Sequence, residues 1–191
     1  AVARAVDTRA VWYNGSGDTA SAFRVLALNI RQRGGRLQVA GAGDSVAGLG
    51  TARLTFLSPM RDSVWSARCS DNDRSLVLRI VEYGHTLLFT GDTGQEAERM
   101  YSRLLRTEPG ARVDVLKVAH HGSRFSTGDT LLAAARPRYA IISVGRNSYG
   151  HPTRETLERL RVSGATVLRT DRQGTLIWRT EPAGGGWVEW R

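Results

Sequence analysis

The sequence predicts an α/β fold with helices packed against a sheet, and three observations predict it. Strand-like and helix-like segments alternate over the second half of the chain. A hairpin of two β-prone runs precedes them, and the composition over 191 residues, 41% apolar and 24% charged, is that of an ordinary globular domain. Alternation of this kind favours layers of helix on sheet. The composition excludes intrinsic disorder, collagen and a coiled coil. No stretch approaches the roughly 18–20 apolar residues of a membrane-spanning helix. One cysteine, Cys69, excludes an internal disulfide and a cysteine-built zinc cage, and reads as a half-buried small residue. No signal peptide opens the chain and residue 1 is not Met, so a piece of something longer is expected.

The elements follow in order. Val11–Tyr13 is β-prone and is closed by the turn formers Asn14-Gly15-Ser16-Gly17. Asp18 or Thr19 caps a helix with Phe23, Leu26, Ala27 and Ile30 on one face, ended by Gly34-Gly35. Leu37–Val39 and Ala52–Leu57 read as strands, and Met60–Asp73 as a loop. Ser75–Val81 and His85–Thr90 form a hairpin around Glu82-Tyr83-Gly84, the second strand apolar enough for burial on both faces. Gly94–Arg106 is a helix, Val113–Val118 a strand, Thr130–Ala135 a short helix and Tyr139–Val144 a strand. A helix over Thr153–Val162 and strands over Thr166–Arg169, Thr175–Arg179 and Trp187–Trp190 complete the chain, with a turn at Ala183–Gly186.

Charge points less clearly. The net charge of +9 has the sign of a nucleic-acid binder. Of the 27 basic residues, however, only Lys117 is not Arg, a bias that a GC-rich coding sequence gives unselected. The arginines are scattered without a like-charged block, so charge alone does not decide for an anionic substrate.

Three loops carry the chemistry: Gly91-Asp92, His120-His121-Gly122-Ser123 and Gly150-His151-Pro152. Each follows an apolar strand, the place where layered α/β folds assemble sites. Three of the four histidines lie there; the fourth, His85, opens a strand and reads as a surface residue. Asp92 is either a helix cap, a role Thr93 could share, or a hard-oxygen ligand to divalent cations. Adjacent histidines in an extended strand would point to opposite faces. Followed by Gly-Ser, they instead suggest a tight turn in which one ring ligates a metal and the other contacts substrate, with Ser123 donors nearby. In Gly-His-Pro, a free hinge and a fixed φ flank the imidazole; alone it reads equally as an exposed turn histidine.

The motifs Leu-Leu-Phe-Thr-Gly-Asp (87–92), Leu-Lys-Val-Ala-His-His-Gly-Ser (116–123) and Asn-Ser-Tyr-Gly-His-Pro (147–152) resemble, in order and spacing, the metallo-β-lactamase-like domain of ComEC-type competence proteins. Asn72 to Leu78 and Arg169-Thr170-Asp171 with Gly174 extend the resemblance over roughly residues 36–178. It implies an αββα sandwich with a two-metal centre, zinc or manganese, at one edge. Asp92 would match the metal-bridging carboxylate, and the 120–121 pair the later histidine ligand and its neighbour. Which of the two binds metal stays open, with His121 favoured. His151 would match the late active-site histidine, a proton donor or phosphate contact. One departure is large: the early His-x-His-x-Asp-His type motif is missing, since no histidine precedes His85. Residues 1–191 are therefore expected to be the C-terminal two-thirds of a single domain, incomplete at its N-terminal side.

The expected reaction is metal-assisted phosphodiester hydrolysis, with His120, His151 and Ser123 as catalytic candidates and Arg124 and Arg146 as phosphate clamps. By resemblance, the setting is a membrane channel importing one DNA strand while this domain degrades the other at the extracytoplasmic face of the cytoplasmic membrane. DNA and the rest of the parent protein would be its partners. Two readings compete: a small phosphoester or ester hydrolase on the same fold, and a metal-free single-stranded DNA-binding module using arginines and the five Trp residues.

Overall fold

The computed structural model describes residues 8–16, 21–61, 68–107, 112–182 and the backbone of 186–190. Its centre is a seven-stranded sheet whose strands lie side by side in chain order. These are β3 (Ser45–Val46), β4 (Arg53–Ser58), β5 (Val77–Glu82), β6 (His85–Phe89), β7 (Val115–Lys117), β8 (Tyr139–Ile142) and β9 (Thr166–Arg169). Neighbours are antiparallel from β3 to β6 and parallel from β6 to β9. Parallel neighbours need crossovers, and α2 (Gln95–Arg106), α3 (Asp129–Ala135) and α4 (Arg154–Val162) supply them. Two two-stranded pairs are not hydrogen-bonded into this sheet, although Trp178 of the second packs against its residues His85 and Tyr139. Parallel β1 (Ala10–Tyr13) and β2 (Arg36–Val39) are linked by α1 (Ser21–Gln32), and antiparallel β10 (Thr175–Arg179) and β11 (Gly186–Trp190) follow α5 (Thr170–Gln173).

The core lies between one sheet face and the three crossover helices. Leu88, Leu116 and Ala140 are register partners across β6, β7 and β8 and form one buried row. Tyr101 and Leu105 of α2, Leu131 and Leu132 of α3 and Leu160 of α4 pack into the same cluster. Burying a large apolar side chain contributes about 1.5–3 kcal/mol, so this row anchors the strand ends that carry the site.

The α/β class expected from the sequence is the one found. Of an αββα sandwich, the described residues supply one large sheet with its helical layer. Two expectations are corrected. Strand β6 is not buried on both faces: Thr86 and Leu88 are buried, but Leu87 is half-buried and Phe89 exposed, because the helices cover only one side. His85 is not a surface residue. It packs edge-on to Trp178, ring centroids 5.6 Å apart, with Nδ1 3.5 Å from an Asp114 carboxylate oxygen and its side chain 18% exposed. Strand β3 and helix α5, two and four residues long, are too short to show periodicity. The expected α1 cap at Asp18 or Thr19, residues 62–67 of the expected loop and most of the Ala183–Gly186 turn lie outside the described residues.

Candidate active site at the strand edge

Strands β6, β7 and β8 are adjacent and parallel, so the loops after them leave from the same sheet edge. These are the three loops that carry Asp92, His120-His121 and His151. The 92 loop turns at Gly91, φ +57°, where an added Cβ would lie 2.6 Å from Ser75 Cβ; only glycine fits. The Asp92 amide donates to Ser75 Oγ at 3.1 Å. Neither Asp92 nor Thr93 caps α2. Gly94 takes the cap position, and its amide donates instead to Asp73 Oδ1 at 2.9 Å. The Asp92 side chain is thus released from a capping role.

The His-His segment is a turn, as expected, but an unusual one. Both residues lie in the left-handed region, His120 at φ 46° and His121 at φ 54°, a conformation uncommon for residues other than glycine. The turn is tied at both ends. The His120 amide donates to Gly91 O at 3.1 Å, and Ser123 N–H returns to His120 O at 3.0 Å. The third loop is pinned by Asn147: its Nδ2 donates to Gly145 O and His151 O, and its Oδ1 accepts from His151 N–H. Gly122, φ +87°, lets the last two loops meet, since a Cβ there would lie 2.6 Å from Pro152 Cβ.

The result is convergence of residues far apart in the chain. His121 Nε2 lies 3.8 Å from Asp92 Oδ1, and the His120 and His151 rings meet edge to face with centroids 5.6 Å apart. His121 Nδ1 is 2.6 Å from the Ser143 carbonyl oxygen, which can only accept. That bond places a proton on Nδ1 and leaves Nε2 as the ring nitrogen on the Asp92 side. A backbone carbonyl orienting a ring in this way is the arrangement that prepares a histidine to ligate a metal.

A cation is already present. Lys117 Nζ lies 3.8 Å from Asp92 Oδ1 and donates to Gly91 O at 3.1 Å. Burial lowers the Lys117 pKa and Asp92 opposes that shift. The His151 pKa is lowered, first by burial and then by His120 and His121, and its Nδ1 is buried without a hydrogen-bond partner among the described residues. The shift favours the uncharged form of this imidazole, and the Nδ1 edge faces into the fold.

Two cavities flank this centre. One of about 320 Å³ is lined by Asp92, His120, Ser123 and Phe125, among others. The other, about 440 Å³, is lined by His121, Arg146, Asn147, Tyr149 and His151 together with the 143–145 backbone and Thr170. Arg146 faces the second cavity, and exposed Arg124 lies over the Phe125 ring beside the first. Ser123 is buried, with its Oγ accepting from Phe125 N–H and its carbonyl accepting from Thr156 Oγ1, so its bonds hold the turn together.

Sequence reasoning singled out none of Asp73, Lys117, Glu98 and Arg159 as part of the site framework. Glu98 is buried and accepts the amides of Thr127 and Gly128, and Arg159 donates to the carbonyls of Arg124, Ser126 and Thr127. Together they clamp the segment that follows the His-His turn. The signals in the sequence were Lys117, the single lysine among 27 basic residues, and the place of Asp73 within the 72–78 segment that resembles the family.

Fold and site together define an α/β protein with a carboxylate–imidazole centre at the carboxyl ends of parallel strands. In sequence the chain is 40% identical over 111 residues to ComE operon protein 3 of Bacillus subtilis, covering 58% of this chain and 14% of that protein. It is 40% identical over 107 residues to Competence protein ComA of Neisseria gonorrhoeae (56% and 15%), and 37% identical over 106 residues to Recombination protein 2 of Haemophilus influenzae (55% and 13%). The resemblance to ComEC-type competence proteins is therefore a measured sequence relationship. The chain spans about one-seventh of the length of these relatives. No family model matches. Among solved structures, CmlA, a diiron β-hydroxylase from Streptomyces venezuelae, has a TM-score of 0.49 at 13% identity, covering 86% of this chain and 37% of that one. A CmlA variant gives 0.46 at 13%, covering 75% and 34%.

Proposed function

We propose that the chain is the C-terminal two-thirds of a metallo-β-lactamase-like domain of a DNA-uptake protein, and that the whole domain hydrolyses phosphodiesters with divalent metal. The observation that carries this reading is the convergence of Asp92 and His121, 3.8 Å apart, with the His121 Nδ1 proton committed to Ser143. The residues present fall short of a complete metal site. Among the described residues, no group of three or more His, Cys, Asp or Glu side chains is placed to hold an ion, whereas a catalytic zinc takes at least three protein ligands. We assign the remaining ligands to the parent protein.

The chain's own side chains have definable tasks. Arg124 and Arg146, beside different cavities, hold phosphate oxygens by paired hydrogen bonds. His120 and His151, ring against ring, hold or pass a proton at the scissile oxygen. Ser123 acts through the turn that it braces. The partners are then DNA and the rest of a membrane channel, and the location is the extracytoplasmic face of the cytoplasmic membrane. No helix among the described residues is long and apolar enough to cross a membrane.

The test uses the intact parent protein with DNA and added Mn²⁺ or Zn²⁺. Cleavage should require the metal and vanish in Asp92→Ala and His121→Ala. Undiminished cleavage by both variants overturns the assignment. Turnover of a small phosphodiester with no turnover of DNA favours the small-substrate reading. Residues 1–191 alone should show little or no turnover.

A further inference from the structure

We propose that Phe125 and Tyr149 are base-stacking platforms that seat a single DNA strand across the Asp92–histidine centre. The proposal rests on the phosphodiester reading and names the form of substrate that the site accepts.

Phe125 and Tyr149 are the two most exposed aromatic side chains among the described residues, 69% and 81% accessible. An isolated exposed ring is ordinary. These two, however, line the two cavities that share one centre: Phe125 the cavity with Asp92 and His120, Tyr149 the cavity with His121 and His151. The edge-to-face pair of His120 and His151 joins the two cavities. Each cavity also has a guanidinium in or beside its lining. The Arg124 Cζ lies 5.1 Å from the Phe125 ring centroid, and Arg146 lines the Tyr149 cavity. An aromatic face for a base beside a cation for its phosphate is the combination that binds single strands with little regard to sequence.

The backbone that carries each ring is hydrogen-bonded into the fold. The Phe125 carbonyl accepts from Gln95 N–H at 2.9 Å, which fixes it to the start of α2. Tyr149 lies within the loop that Asn147 pins, its ring stacked on His151 at 27° with centroids 6.2 Å apart. A backbone held in place before binding loses little freedom on binding. Duplex bases already stack on each other and offer no free face to rings at both flanks, so the arrangement selects an unpaired strand.

The experiment measures binding by the intact protein with EDTA present, so that cleavage does not compete. The probes are a fluorescent 12-nucleotide oligo-dT, an abasic oligomer with the same phosphates, and a 12-base-pair duplex. The oligo-dT should bind about tenfold or more tighter than the abasic strand. Phe125→Ala and Tyr149→Ala should each cut that ratio about fivefold or more, while Phe125→Tyr and Tyr149→Phe retain it. Equal binding of oligo-dT and abasic strand overturns the proposal, as does an unchanged ratio in both alanine variants or a preference for the duplex. Failure here is separable from failure of the hydrolase reading. Cleavage that persists in Asp92→Ala removes the latter and leaves the ratio standing, whereas a ratio of one with Asp92-dependent cleavage removes only the platforms.

Discussion

Glu98 Oε2 lies 2.7 Å from the amide nitrogen of Gly128, so a buried carboxyl on α2 holds the segment that follows the His-His turn. Burial pushes this carboxyl from its ordinary value of 4.5 up to about 7, against the pull of the Gly128 and Thr127 amides and Arg159. Between those values the native protein keeps a proton that the unfolded chain has released. Its contribution to stability is therefore full below pH 4.5 and lost as pH rises through about 7, on the order of 3 kcal/mol in all. Glu98→Gln should remove this dependence. Thermal melts of both proteins between pH 5 and 8 should show wild type losing stability relative to the variant as pH rises. Parallel curves would refute the assignment.

Arg159 is expected to resist replacement by lysine. Its guanidinium reaches the carbonyls of Arg124, Ser126 and Thr127 and the hydroxyl of Thr156, and a lysine ammonium cannot match that planar fork. Arg159→Lys should cost about 1–3 kcal/mol in denaturant unfolding, the range for leaving buried acceptors unpaired. A shift within about 0.5 kcal/mol, the size of an ordinary surface substitution, would contradict this.

Gly122→Ala should fail on two counts, a positive φ and a Cβ contact of 2.6 Å with Pro152. The last two site loops would have to separate, which lengthens the 5.6 Å approach of His120 and His151. Lower stability by more than about 1 kcal/mol is expected, with loss of cleavage by the intact protein. A variant equal to wild type in both respects would show that the loops have room to spare.

Asn147→Ala separates positioning from stability. The side chain makes its three bonds at an exposed loop, so unfolding should change little, by about 1 kcal/mol or less. Turnover should nonetheless fall about 10- to 100-fold, because His151 would no longer be fixed. A fall in turnover matched by an equal loss of folded protein would make Asn147 merely structural.

The sheet was legible in the sequence where chemistry and periodicity agreed. β-Branched and leucine runs marked β5 to β9, and their turn residues placed Asp92, His120, His121 and His151 at strand ends. The approach of Asp92 to His121 follows from strand adjacency, which no local pattern states. Single-face burial of β6 was not readable, because Leu87 and Phe89 are as apolar as a buried pair yet lie on the side without helices. Glu98 and Arg159 were hidden for a related reason. On an amphipathic helix a charged residue reads as solvated, and only the packing of α2 and α4 around one loop turns these two inward.

The paired left-handed histidines narrow what mutation can do at positions 120 and 121. A change there is filtered twice, by chemistry and by torsion angle. Valine and isoleucine, branched at Cβ, are strained by the main chain before their side chains are considered, and threonine less decisively, since Thr127 itself sits at φ 52°, whereas asparagine, aspartate and glycine adopt these torsions readily. A saturation library at these codons should therefore lose its valine and isoleucine members to misfolding and its asparagine members to inactivity, two classes of defect at one turn.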